Sequence, residues 1–187
     1  MKLRNVLAVL AGGAVAFIWS TISWMVIPWH QPTMSAFEDE AAFAQTVKQS
    51  ALEPGIYTYP AWTDDAEDMQ KKHDEGPYVF ASVVPAGVGS EMGSMMVGGF
   101  LANLVGAALL LTLMLCVTDA GWKARTLVAA VAALFVSLVP ALMNWNWWHF
   151  PMPFTLVAIV DGVIAWTLAG FVMAKISAGE RAAEASA

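Results

Sequence analysis

The sequence has one cysteine, Cys116, three histidines and few charges, with 9 Lys and Arg and 15 Asp and Glu making up 13% of its 187 residues. A single thiol excludes an intrachain disulfide and any Cys-x-x-Cys metal or haem-attachment motif. So low a charge content sits far below the roughly one-quarter typical of soluble domains. With 58% hydrophobic residues and a mean hydropathy of +0.60, it makes the bilayer the expected solvent. The net charge of -6 is concentrated in residues 29–91, which hold 11 of the 15 acidic residues, and this acidity argues against nucleic acid or anionic lipid as a partner on that face. Also missing are a phosphate-binding glycine loop, a nucleophile elbow and a His-Glu-x-x-His zinc helix, so catalysis of a recognised kind is not expected.

What the chain does have is four long apolar stretches, at about 6–28, 92–117, 126–143 and 154–174. Each approaches the roughly 20 helical residues that cross about 30 Å of hydrocarbon. All four are expected as helices, because a spanning segment must satisfy its backbone polar groups internally. The predicted fold is an all-α membrane protein, a four-transmembrane-helix bundle with a small α+β extracytoplasmic insertion between helices 1 and 2. Ala14-Val-Ala16 resembles a signal-peptide cleavage site, but the apolar run continues from Phe17 to Ile27. That is longer than a signal-peptide apolar region, so an uncleaved anchor is expected over 1–28.

Lys2, Arg4, Lys123, Arg125, Lys175 and Arg181 fall at alternate ends of these stretches, on one side of the membrane. By the positive-inside rule that side is cytoplasmic, and both termini with it. The outer segment 29–91 carries Lys48, Lys71 and Lys72 against 11 acidic residues, a net charge of -8. Within it, Ser35 and Glu38 have capping-box spacing, and Phe37, Ala41, Ala44, Val47 and Ala51 form an apolar stripe, which predicts an amphipathic helix over about 35–52. Ile56–Tyr59 and Tyr78–Val84 are β-prone runs and predict a hairpin over about 56–84 with a long polar loop. The remaining segments are a cytoplasmic loop at 118–125, an aromatic outer connector at 144–153 and a cytoplasmic tail at 175–187.

Candidate sites follow from residues that depart from their surroundings. Asp161 lies inside the fourth stretch, where an intramembrane carboxylate is a functional hypothesis by default. Asn103, Ser137, Ser20 and Thr21 fall at similar depth, roughly 10 to 16 Å below the outer surface at 1.5 Å per residue. Together they predict one polar layer, either a hydrogen-bonded clamp in which Asp161 bonds Asn103 or a serine, or a site for a proton or polar ligand. His73 stands beside Asp74 and Glu75 and is expected to be solvated. His30 and His149 fall at outer helix ends, level with Met34, Met92, Met95, Met96 and Met152. Imidazole and thioether suit copper, and two histidines could ligate a haem iron. Methionine also fills packing gaps with no metal, so no cofactor is the first expectation, with copper or haem as the alternative. Trp29, Trp145, Trp147 and Trp148 are expected as interface anchors.

Stripes of small residues at four-residue spacing, such as Gly98, Ala102 and Gly106, let membrane helices approach closely. The expected partners are the bilayer and a membrane protein or a second copy of the chain. Trp24, Pro28-Trp29-His30, Phe37-Glu-Asp-Glu40, Pro54-Gly-Ile-Tyr57, Gly76-Pro77 and Asn144-Trp-Asn-Trp-Trp148 resemble the pattern of an uncharacterised bacterial family of small inner-membrane proteins. The resemblance implies the bacterial inner membrane and transfers no site. The function expected is that of a non-catalytic accessory or scaffold subunit. A small-ligand, copper or haem binding protein is the alternative, and four helices without a broken pair are few for a transporter.

Overall fold

The computed structural model describes residues 3–117 and 121–184, with side chains to 177. The elements in chain order are α1 (Leu3–Met25), a 3-10 turn (Gln31–Thr33), α2 (Glu40–Ser50), β1 (Gly55–Tyr59), α3 (Ala66–Glu75), β2 (Val79–Val83), α4 (Met92–Cys116), α5 (Trp122–Trp148) and α6 (Met152–Glu184). The chain divides into two compact units, Met1–Ser35 with Met92–Ala187, and Ala36–Glu91.

In the first unit, α1, α4, α5 and α6 are each long and apolar enough to cross a membrane. Helix α6 packs along both α1 and α5, and α1 also packs on α4. The contacts are made where side chains are small. A side chain on Gly12 would collide with Met173, one on Gly106 with Trp166, and one on Gly170 with Ala129. Absent side chains at these points bring helix axes close enough for dispersion contacts, the main source of helix association in lipid. The core is Ala8, Ala107, Leu110, Leu111, Met114, Ala129, Met173 and Ala174. It joins the N-terminal half of α1 to the C-terminal halves of α4 and α6.

That half ends in a basic collar. Lys175 Nζ lies 3.4 Å from the Trp122 ring centroid, and the ring meets Phe171 edge-on. Arg125 is buried and its Nη1 donates to Ser177 Oγ at 3.1 Å. The opposite, aromatic end holds Trp24, Trp29 and the α5–α6 turn. The aromatic connector expected at 144–153 is mostly helix, because α5 continues to Trp148. His149, in the left-handed region at φ 55°, then closes the helix, and its amide donates to the Asn144 carbonyl. Helix α6 likewise begins before 154 and runs beyond 174, and α5 begins inside the loop expected at 118–125.

The second unit is sparsely packed. Its strands pair antiparallel, with Gly55 opposite Val83 and Tyr59 opposite Val79. No other pair of its elements makes an extensive contact. Helix α2 starts at Glu40, not 35: Asp39 is the cap and its carboxylate accepts from the Ala42 amide at 2.9 Å. Ser35 and Glu38 therefore do not form the capping box that their spacing suggested. The polar stretch between the strands is helix α3 instead of an open loop. Asp65 caps it by accepting from the Glu67 and Asp68 amides, and Gly76, at φ 67°, stops it. Lys72–Asp68 and Gln70–Asp74 pairs brace its surface. The Asp68 hydrogen bond, foremost, and the nearby negative charges raise the Lys72 ammonium above its ordinary value of 10.5.

Candidate functional site

After Met25 the chain turns back on α1, which places His30 seven residues and one reversal from Ser23. His30 is 4% exposed and Ser23 fully buried. His30 Nε2 lies 3.1 Å from Ser23 Oγ and 3.3 Å from Asp161 Oδ2 on α6. The other carboxylate oxygen, Oδ1, accepts from Trp19 Nε1 at 2.6 Å, and Trp29 Nε1 donates to Ser23 Oγ at 3.0 Å. Trp24 stacks on the imidazole with centroids 3.8 Å apart and planes within 7°. Trp29 meets the same ring edge-on. Five side chains from α1, the turn after it and α6 thus form one hydrogen-bonded constellation among aromatic rings.

Its chemistry is constrained by which ring nitrogen is used. A nucleophilic triad needs the carboxylate on one imidazole nitrogen and the hydroxyl on the other. Here Asp161 and Ser23 both face Nε2, so no Ser23 proton can pass through the ring to Asp161. Ser23 is also sealed from any substrate. What the geometry can do is hold protons and tie α1 to α6.

The polar layer expected around Asp161 is divided differently. Asn103 does not reach Asp161: its Nδ2 donates to the Gly99 carbonyl of its own helix at 2.9 Å. Ser20 and Thr21 donate to the Ala16 and Phe17 carbonyls in the same way. Short polar side chains on a helix have a carbonyl one turn back within reach, and that local bond outcompetes a partner across the bundle. Ser137 instead packs its Oγ against Gly162, where a side chain would collide with it. Of the proposed layer only Asp161 enters the constellation. Trp19, Ser23, Trp24 and His30 supply the rest, and depth counting along straight helices could not reveal a chain that doubles back.

The two histidines paired as ligand candidates have separate surroundings. His149 is exposed at the end of α5 and lines a hollow of about 320 Å³ with Trp145, Asn146, Phe150, Pro151 and Met152. Met34, Met92 and Met95 are exposed and Met96 is half-buried. Among the described residues no three His, Cys, Asp or Glu side chains converge as a metal cluster. Trp145, Trp147 and Trp148 are exposed on the last turn of α5, whereas Trp29 is half-buried by its bond to Ser23. No protein-family model, curated protein or solved structure matches the chain.

Proposed function

We propose that this chain is a non-catalytic accessory subunit of a larger complex in the bacterial inner membrane, anchored by its bundle and docking through Ala36–Glu91 on the outer side. The observation that carries this reading is that the docking unit lacks a core of its own. Only Ala51 and Pro60 are buried in it, while Leu52 is 77% and Trp62 87% exposed, with Phe37 and Ile56 also open. Below about 70–80 residues even a well-packed core rarely supplies more than 3–5 kcal/mol, and an isolated hairpin is marginal in water. Exposed apolar surface of this kind marks an interaction face.

Charge selects the occupant. A unit of net charge -8 repels both an anionic membrane surface and a second copy of itself. A protein partner with an apolar patch bordered by Lys and Arg satisfies both features. The basic collar at Lys123, Arg125 and Lys175 faces the cytoplasm in this arrangement, by the positive-inside rule.

The test is purification from native membranes in mild detergent, for the natural chain and for Ile56→Asp with Trp62→Ala. The expected result is a heteromeric complex containing one partner in near-equal amount, lost in the double variant while the bundle stays folded. A homodimer, recovery only on lipid vesicles, or a lone monomer from native membranes contradicts the reading. A ligand-binding alternative draws on the hollow shared by His149 and Met152. Stoichiometric copper or a haem absorption band in the purified protein would favour it.

A further inference from the structure

The constellation around Asp161 has a feature that a structural clamp does not need. Trp19 alone could satisfy one carboxylate oxygen, and any neutral donor could satisfy the other. Instead the second oxygen faces imidazole, the one side chain whose ordinary titration range spans neutral pH. We propose that His30 and Asp161 form a proton-binding site, in which the imidazole takes up and releases one proton while its Nε2 faces the partly buried carboxylate.

The proton bookkeeping is set by the atoms around Nε2. With a proton on Nε2, the ring donates to Asp161 Oδ2 across 3.3 Å, and Ser23 Oγ accepts the Trp29 indole proton. With Nε2 bare, Ser23 can donate its hydroxyl proton to it across 3.1 Å. The carboxylate oxygen then confronts a lone pair, and that contact becomes favourable only when Asp161 itself carries a proton. Nε2 therefore points into the site, and Nδ1 is the nitrogen by which a proton enters or leaves. Among the described residues no side chain or backbone group hydrogen-bonds Nδ1. A proton added at Nδ1 turns a site of charge -1 into a neutral imidazolium–carboxylate pair. In apolar surroundings that change in net charge strongly affects how firmly the turn is held on α6.

Among the described residues of the bundle unit no other charge faces this pair. In the bundle unit α1 carries none beyond Arg4 and α4 none at all, while Lys123, Arg125 and Lys175 sit in the basic collar. The turn at 26–34 contributes only His30, and α6 offers only Asp161 in the half that faces it. His149, at the end of α5, is exposed in the separate hollow described above.

Trp24, stacked on the ring, supplies the readout, because a charged imidazolium quenches a stacked indole more than a neutral ring does. Tryptophan emission of the full-length protein in detergent, followed from pH 5 to 9, should show a step with the slope of one proton, emission falling as the pH falls. His30→Gln should abolish the step, and Asp161→Asn should move its midpoint. His149→Gln and His73→Gln should leave it in place. If His30→Gln does not fold, Trp24→Phe removes the reporter from a partly exposed position, and loss of the step there serves the same purpose. A natural protein with no step, a step that survives either Trp24→Phe or a folded His30→Gln, or a midpoint unmoved in Asp161→Asn overturns the proposal.

Discussion

The two units of this chain both expose large apolar side chains, but with opposite meaning. In the bundle, Leu109, Val131 and Phe135 are exposed around a close-packed interior, on helices long and apolar enough to place such side chains against lipid. In Ala36–Glu91, Leu52, Ile56 and Trp62 are as exposed, yet the segment is acidic and buries only Ala51 and Pro60. Exposure is informative only relative to the solvent. A bilayer would cover the apolar surface of the first unit, and the partner proposed above would cover that of the second.

Substitutions can sharpen that contrast. The largest effect is expected at Gly170, where a side chain would enter space held by Ala129. Gly170→Leu should destabilise the bundle by about 3 kcal/mol or more, read as a large fall in its thermal unfolding temperature in detergent. Asp161→Leu comes next, since it strands the Trp19 and His30 donors; a loss of about 2–4 kcal/mol is expected, against about 1 kcal/mol for Asp161→Asn. Equal stability of the two variants would reduce Asp161 to a tolerated residue. In the insertion, Asp39→Ala removes a helix cap, costing about 1 kcal/mol locally. It should lower helical circular dichroism slightly and leave the bundle transition unchanged.

The smallest effect concerns Lys72. Its value is raised in the folded chain, so the contribution of its Asp68 pair is present below the ordinary lysine value of 10.5 and is lost as pH rises through the raised one. Helicity of α3 should therefore be flat across neutral pH and fall only in strong alkali. A fall near neutrality would assign the loss to another group.

Much of this architecture is legible in the sequence because bilayer thickness imposes a length that composition reveals. The four apolar stretches and the hairpin runs needed no more than hydropathy and β-propensity. Helix α3 escaped because it has no apolar period; caps and i,i+4 pairs hold it, and those read like a polar loop. The site was half legible. Asp161 is conspicuous as a carboxylate in an apolar run, and His30 as a histidine at a helix end, but their pairing is not, because the turn at 26–30 reverses the chain and defeats any count of depth along a straight helix. The local bonds of Asn103, Ser20 and Thr21 likewise follow from helix geometry that depth alone ignores.

Amide hydrogen exchange on the purified monomer shows whether Ala36–Glu91 needs a partner to complete it. Amides of β1 and β2 should exchange within about tenfold of unfolded-chain rates while those of α1 and α6 are protected by orders of magnitude. They should gain strong protection in the complex taken from native membranes. Strong protection of both strands in the lone monomer would contradict the need for a partner.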